Sequence, residues 1–222
     1  MTLRRPRIIA EQARHARGLL GWIIASIMAR ETWAANLEAI DALEIGAREH
    51  VLDVGCGHGR GLAAIAARAP GVRVAGVDPS ALMVQIARRR SRRLIGASRV
   101  EVMVAGVEAL PFADGAFDRA LCVHGVYFWP DLEAGLTEIA RVLRPGGRLA
   151  LLFRTDADTA AVRSFPSEVY HFPPLQTVIT ALAAAGFSSQ VAEGNGGDCN
   201  GPVLLVAERM VQPAGRRKSG ED

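Results

Sequence analysis

Residues 51–59 read VLDVGCGHG, a short, largely apolar run that passes directly into three glycines at alternate positions. Such a run has the length of a buried strand, and the glycines allow a sharp turn with positive φ. A helix that begins at this turn presents unpaired backbone N–H groups and a positive dipole end, which suit a carboxylate or a phosphate. The stretch therefore predicts a strand, a turn and a helix. The turn has two interpretations, a ligand-binding loop or a purely structural turn.

The spacing of the glycines distinguishes two kinds of nucleotide-binding loop. It is G-x-G-x-G, whereas dinucleotide-binding loops carry G-x-G-x-x-G. Asp78 follows the loop by about 20 residues, at the end of the next apolar run, where an acid can accept hydrogen bonds from both ribose hydroxyls. Ser80 is a good N-cap, so the following helix does not need Asp78 for that purpose. The pattern favours a nucleoside ligand and disfavours hydride transfer from a nicotinamide.

Apolar runs alternate with helical patterns along most of the chain, which is typical of a doubly wound α/β fold. The last third breaks this alternation with two β-like runs joined by a glycine-rich segment, which predicts an antiparallel hairpin at the sheet edge. We therefore expect a Rossmann-like, mostly parallel, seven-stranded sheet with N-terminal helices, and a helix stop and turn at 141–147. The predicted strands are 50–54, 72–77, 99–104, 117–123, 148–153, 188–193 and 203–208, and the predicted helices are 8–44, 63–68, 80–94, 132–143 and 175–185.

The expected organisation is one ligand-binding domain with a short addition at each end. Residues 1–46 form N-terminal helices, residues 47–210 form the domain, and residues 211–222 form a polar, disordered tail. The first helix is apolar and begins with several arginines. It has three interpretations: it packs on its own domain or covers the pocket, it forms a dimer, or it rests on a membrane surface.

The composition limits the remaining classes of protein. Half of the 222 residues are hydrophobic and 22% are charged, which suits a packed globular domain. The net charge of +3 does not require a nucleic-acid partner, and the arginines at 88–93 fit a solvated helix face. Three separated cysteines without a CxxC pair oppose a disulfide framework and a zinc site, so no metal is expected. The apolar stretch at 19–29 is too short to span a bilayer, and a cytoplasmic location is expected.

Three blocks of sequence together resemble a known family. They are 51–59 (VLDVGCGHG), 110–118 (LPFADGAFD) and 138–147 (EIARVLRPGG), in this order. The chain resembles the class I S-adenosylmethionine-dependent methyltransferases, in particular the small-molecule group related to quinone-biosynthesis C-methyltransferases. The resemblance is close from residue 50 to about residue 154 and looser afterwards. It implies S-adenosylmethionine as cofactor and methyl transfer to a small molecule by direct in-line displacement.

The resemblance also implies which residues hold the cofactor. Asp53 would order the glycine loop and hold the methionine amine through water, Asp78 would bind the ribose, and Pro79 and Met83 would flank the adenine. Relatives carry Asp-Ala-Glu before the LPF block, whereas residues 106–108 here are Gly-Val-Glu, so the usual acidic acceptor for the adenine amino group is missing. Glu108 either replaces it or is simply exposed. The complete set of implied cofactor contacts is Asp53, Gly55, Cys56, Gly57, Asp78, Pro79, Met83, Gly106, Val107, Glu108, Val123 and His124.

The residues that face the methyl acceptor are less well defined by the sequence. Val123 and His124 end the predicted fourth strand, and ligands in such folds bind outside the carboxyl ends of the strands. His124 therefore has three interpretations: a general base, a substrate contact or a packed loop residue. His171 and Tyr170 are further candidates for a base, should the acceptor have to lose a proton. The aromatic and apolar residues of 154–174 favour a small, partly apolar metabolite as the acceptor.

Two other functions are compatible with this sequence. One is an NAD(P)-dependent oxidoreductase on a similar fold, which the glycine spacing and the LPF block oppose. The other is a non-catalytic module that binds S-adenosylmethionine without turnover, which Gly106 leaves open. The sequence does not distinguish a monomer from a homodimer, and it favours a free domain over peripheral membrane contact.

Overall fold

The computed structural model describes residue 11, residues 32–192 and residues 201–211. The helix predicted before residue 32, the glycine-rich segment at 193–200 and the predicted tail after residue 211 lie outside the described residues. The strands are β1 (His50–Val54), β2 (Arg73–Asp78), β3 (Val100–Val104), β4 (Phe117–Val123), β5 (Leu143–Phe153), β6 (Phe187–Val191) and β7 (Val203–Arg209). The helices are α1 (Trp33–Asp41), α2 (Arg60–Ala66), α3 (Ala81–Arg90), α4 (Arg92–Gly96), α5 (Leu132–Val142), α6 (Thr159–Ser164) and α7 (Leu175–Ala184), with a 3₁₀ turn at Val126–Phe128.

The strands form one seven-stranded sheet in the order β3-β2-β1-β4-β5-β7-β6. Five strands are parallel, and β7 runs antiparallel to both β5 and β6. This confirms the predicted Rossmann-like sheet and its C-terminal hairpin. Within the hairpin, β6 forms the sheet edge and β7 lies between β5 and β6. The chain moves outward in one direction from β1 to β3 and then returns to β4, so a crevice is expected at the carboxyl ends of β1 and β4.

Apolar side chains cover both faces of the sheet, as a parallel sheet flanked by helices requires. One cluster includes Phe117, Leu136 and Phe153, and the opposite cluster includes Leu62 and Ile65, all of them almost fully buried. The sheet is therefore held rigidly from both sides. Polar groups at its carboxyl edge consequently have well-defined positions.

Two predicted elements differ most clearly from the structure. The helix predicted at 80–94 is divided at Ser91 into α3 and α4. The turn predicted within 141–147 is a bulge inside β5, because Phe117 pairs with Leu143 whereas Arg119 pairs with Arg148. A Cβ on Gly147 would lie 2.8 Å from the carbonyl oxygen of Arg144, so this bulge requires glycine at that position. The helix stop before it is confirmed, since α5 ends at Val142.

Over residues 32–192 and 201–211, no helix combines the length and the apolar character that are needed to cross a bilayer. The apolar stretch at 19–29, on which the prediction of membrane or lid contact rests, lies outside the described residues.

Candidate functional site

The glycine loop between β1 and α2 is tied to the end of β2. The backbone N–H groups of Gly55 and Cys56 both donate to the carbonyl oxygen of Val77, at 2.8 and 2.9 Å. Gly55 and Gly57 have φ values of +76° and +53°, which side chains with a Cβ adopt only at a cost. A Cβ at either position would meet no atom within 4 Å, so the loop backbone borders open space rather than packed protein. This is the arrangement that the close approach of a ligand requires.

Asp78 lies at the carboxyl end of β2 and faces this loop. Its Oδ2 accepts a hydrogen bond from the Gly57 N–H at 3.0 Å, and its Oδ1 accepts one from the Ser80 N–H at 2.8 Å. Burial raises the pKa of Asp78, and the two backbone hydrogen bonds oppose that rise. A carboxylate offers about four acceptor sites, so Asp78 retains capacity for two further donors. The predicted ribose contact is thus an acid that also holds the glycine loop in position, a role that the sequence did not indicate.

Ser80 caps α3, as predicted. Its hydroxyl oxygen accepts a hydrogen bond from the Met83 N–H at 3.4 Å. Asp78 is therefore not needed as the cap of this helix.

Asp53 lies near the carboxyl end of β1, the strand that pairs with β2, and it is close enough to Asp78 for the two carboxyl groups to interact. Only 6% of the residue is exposed, and burial together with the nearby Asp78 raises the pKa of Asp53 to about 7. A protonated and an ionised form therefore coexist near neutral pH. A cationic group placed beside Asp53 favours the ionised form.

A cavity of about 70 Å³ opens between α1 and the glycine loop. It is lined by four of the predicted cofactor residues, namely Asp53, Gly55, Cys56 and Val123. Other residues that line it were not suggested by the sequence. Among these is Asn36 on α1, whose Oδ1 is buried and has no hydrogen-bond partner. A buried amide oxygen without a partner is costly and indicates a missing donor. No sequence pattern identifies Asn36, because it belongs to a helix that reaches the loop only through the tertiary fold.

Arg60 is the first residue of α2, and its side chain contacts α1. Its guanidinium lies 3.9 Å from the centroid of the Trp33 ring, a distance typical of a cation–π contact. Arg60 also lines the cavity with Asn36 and His58. The cavity is therefore lined by an acid, an amide oxygen and a guanidinium.

The residues predicted to surround the adenine follow β2 and β3 in the chain, with Met83 on α3. Met83 and Val107 are buried, whereas Pro79 and Gly106 are exposed. Glu108 is exposed as well, and its Oε1 accepts a hydrogen bond from the Asp131 N–H at 2.9 Å, just before α5. Glu108 therefore has a structural partner in this chain.

The candidate acceptor residues lie beyond β4. His124 is partly buried beside Tyr127, with 2.9 Å between Nδ1 and the phenol oxygen. His171 is exposed, and its backbone N–H donates to the Tyr127 carbonyl oxygen at 3.2 Å. Tyr170 is only 5% exposed and lies in a cluster of rings made by Tyr127, Phe128, Phe165, Tyr170 and Phe172. Of the three predicted bases, His124 alone follows directly on a strand that borders the cavity.

Comparison with known proteins agrees with this geometry. A family model described as a methyltransferase domain matches residues 52–151. Demethylmenaquinone methyltransferase of Thermus thermophilus is 32% identical over 176 residues, which cover 68% of this chain and 79% of that protein. The chain therefore belongs to the class I S-adenosylmethionine-dependent methyltransferase family.

Other similar proteins are matched over a smaller part of their length, or they resemble this chain in fold alone. Methyltransferase GfsG of Streptomyces halstedii is 41% identical over 111 residues, which are 50% of this chain and 40% of that protein. The chain thus matches less than half of the length of several such relatives. The solved structure of YcgJ from Bacillus subtilis has a TM-score of 0.67 at 20% identity and covers 81% of this chain and 100% of its own. Geranyl diphosphate C-methyltransferase of Streptomyces coelicolor, solved with S-adenosyl-L-homocysteine, has a TM-score of 0.63 at 18% identity, covering 80% and 77%.

Proposed function

We propose that this chain binds S-adenosylmethionine and transfers its methyl group to a small, partly apolar metabolite. The observation that carries the proposal is the contact between the Gly57 N–H and Asp78, because it joins the glycine loop and the β2 acid into one site. Separate parts of that site suit the two ends of an aminoacyl nucleoside. The activity of the whole protein is part of the proposal, since the chain covers only 40–43% of several curated relatives.

The residues present fit this cofactor. The backbone of Gly55 and Gly57 borders open space in which a ligand can lie against it. The unpartnered Oδ1 of Asn36 and the carboxyl group of Asp53 both suit a donor such as an α-ammonium group. Asp78 has acceptor capacity for ribose hydroxyls after its two backbone contacts are made.

Bound S-adenosylmethionine supplies a methyl group that is activated by its attachment to a positively charged sulfur. The protein's task is then to align the acceptor with this methyl group and to exclude water, and orientation alone can contribute roughly 7–11 kcal/mol to such a reaction. Val123 is the last residue of β4 and lines the cavity, and His124 follows it directly, so we propose both as contacts of the acceptor. The chemistry does not require a general base for every acceptor.

An apolar acceptor is supported by the ring cluster defined above. Tyr127 contacts Tyr170 and Phe172 with centroid distances of 5.9 and 5.0 Å, and Phe165 packs on Tyr170 at 4.6 Å. These rings follow β4 and β5, at the same edge of the sheet as the cavity. The relatives include methyltransferases named for demethylmenaquinone and a number named as O-methyltransferases, and a small acceptor of this kind suits the present chain.

Titration calorimetry tests the proposal most directly. The purified protein is expected to bind S-adenosylmethionine and S-adenosylhomocysteine, and to bind NAD and NADP much more weakly. Binding of NAD without binding of either sulfur nucleoside would favour an oxidoreductase. Cofactor binding with no labelled product from any small-molecule extract would favour a non-catalytic module.

Replacing Asp53 by Asn is expected to change how stability depends on pH. The folded pKa of about 7 lies above the value of 3.8 for an ordinary Asp, so the native fold keeps a proton that the unfolded chain loses between these pH values. The contribution of Asp53 to stability is therefore largest below about pH 4 and is lost as pH rises to about 7. Between pH 4 and pH 8, the free energy of unfolding of the variant relative to that of the native protein should therefore rise by on the order of 4 kcal/mol.

Urea unfolding of both proteins at a series of pH values measures this difference. Asp41→Asn is a suitable control, because the Asp41 side chain is 64% exposed and pairs with Arg68 at the surface. The interpretation of Asp53 is wrong if the two variants follow the same pH dependence relative to the native protein.

Replacing Gly106 by Asp is expected to tighten the binding of S-adenosylmethionine by up to about tenfold, as one added hydrogen bond to the adenine amino group predicts. A Cβ at this exposed position would meet nothing within 4 Å, so the side chain has room. Gly106→Ala adds the same Cβ without the carboxylate and should bind like the native protein. Calorimetry that shows equal affinity for the Asp and Ala variants would contradict an adenine contact at this position.

A further inference from the structure

The loop after β4 holds the imidazole of His124 against the hydroxyl group of Tyr127. Nδ1 of His124 lies 2.9 Å from the phenol oxygen, and the two rings are nearly parallel, at 26°. The backbone of His124 has a φ of +56°, which is uncommon for histidine and is often found at functional sites. Its N–H donates to the Leu152 carbonyl oxygen at 2.8 Å, so the residue is held between β4 and β5.

The hydroxyl group of Tyr127 determines the direction of this hydrogen bond. The backbone N–H of Arg154 donates to the Tyr127 oxygen at 2.6 Å, so that oxygen already acts as an acceptor. Tyr127 is only 3% exposed, and its single hydroxyl proton therefore needs an acceptor within the protein. Nδ1 of His124 is an acceptor at hydrogen-bond distance. The reverse direction would leave a buried hydroxyl proton without this acceptor.

We infer that Tyr127 donates to Nδ1 and holds His124 in the tautomer with its proton on Nε2, so that His124 serves the methyl acceptor as a hydrogen-bond donor and not as a base. A neutral imidazole carries one proton, and a proton on Nε2 makes that nitrogen a donor. Tyr127 is thus a positioning residue for His124.

The charge state of the ring agrees with this geometry. Burial, and then the nearby Arg154, lower the pKa of His124 to about 4, so the ring is neutral at physiological pH. The guanidinium of Arg154 is paired with the fully buried carboxylate of Asp158, which also caps α6. The positive charge beside His124 is therefore held in place by the protein itself.

This inference rests on the proposed function and narrows its substrate class. A fixed N–H donor beside the proposed site of transfer suits a nucleophilic acceptor that carries negative charge on an oxygen, such as a phenolate or an enolate. Such a donor stabilises the negative charge on that oxygen, so it favours the ionised form of the acceptor and fixes the orientation of the oxygen. An acceptor whose hydroxyl proton must be removed by His124 does not fit.

Nitrogen NMR of the protein labelled in its histidine rings tests the tautomer without any ligand. At pH 7 the His124 signals, assigned by their absence from His124→Phe, should show an unprotonated Nδ1 and a protonated Nε2. In Tyr127→Phe the donor to Nδ1 is removed, and the two tautomers should become mixed. A protonated Nδ1 in the native protein would overturn the inference, whatever the result of the cofactor titration.

A pair of probes of matched shape tests the donor role. In the presence of S-adenosylhomocysteine, 1,4-naphthoquinone is expected to bind the native protein about fivefold more tightly than naphthalene, as one hydrogen bond to a carbonyl predicts. In His124→Phe this preference should disappear. Retention of the preference in the variant would contradict the assignment of His124 as the donor.

Discussion

Replacing Asp78 by Ala is expected to weaken the binding of S-adenosylmethionine by at least about 100-fold, which is the lower end of the range for two lost hydrogen bonds to a charged acceptor. Asp78 is only 8% exposed and accepts a hydrogen bond from the glycine loop. The substitution also removes the acceptor for the Gly57 and Ser80 N–H groups. The loop and the ribose therefore lose their common partner at the same time. Calorimetry with S-adenosylhomocysteine measures the effect.

The loss of ribose binding must be separated from a disturbed loop. The native protein should prefer S-adenosylhomocysteine over an analogue without the two ribose hydroxyls, and Asp78→Ala should bind the two ligands equally. Asp41→Ala is the control, because it removes a surface carboxylate in an exposed ion pair, and it should leave both affinities unchanged. If Asp78→Ala keeps the preference for the ribose hydroxyls, Asp78 does not bind the ribose.

Replacing Gly59 by Ala is expected to destabilise the fold by about 3 kcal/mol, which combines a left-handed backbone with overpacking. Gly59 has a φ of +76°, and an added Cβ would lie 2.7 Å from the Cβ and 2.9 Å from the Cα of Ala87. Ala87 is in the body of α3, so relief requires that helix to move away from α2. For a domain of this size, 3 kcal/mol lowers Tm by roughly 6–12 °C.

Gly186→Ala provides the matched control for backbone conformation. Gly186 has a φ of +86°, and a Cβ there would meet nothing within 4 Å, so only the left-handed conformation is penalised. We expect about 1–2 kcal/mol of destabilisation for this variant, clearly less than for Gly59→Ala. Equal losses of stability in thermal unfolding would show that the contact with Ala87 is unimportant.

The features of the candidate site that could be predicted from the sequence depend on local patterns. The apolar run at 51–54, the glycines after it and the acid at the end of the next strand each have a physical meaning within a few residues of chain. The structure confirms the strand and brings the Gly57 N–H within 3.0 Å of Asp78. The parallel order of β1 and β2 follows from the alternation of strands and helices, so this proximity was implied by the fold class.

Other features depend on contacts between distant segments and had no local signal. Asn36 reaches the glycine loop only because α1 packs beside it, and nothing in the sequence of a helix marks one amide as unpartnered. The sequence predicts a turn before the strand where the structure has a bulge at 144–147, because proline and glycine are typical of turns and of bulges alike. The roles of His171 and Tyr170 as bases are still predictions, and neither residue is among those that line the cavity beside Asp53.

The sequence by itself determined the order of strands and helices, the glycine loop and the acid that follows it, because periodicity and turn chemistry act over short stretches of chain. Only the tertiary structure decided which groups share a proton or a hydrogen bond. The Tyr127 hydroxyl finds the Arg154 N–H only because β4 and β5 are neighbours, and Asp53 acquires a pKa of about 7 only because the sheet buries it near Asp78. Burial and hydrogen-bond direction are properties of the assembled sheet, since they depend on what other segments place around a group.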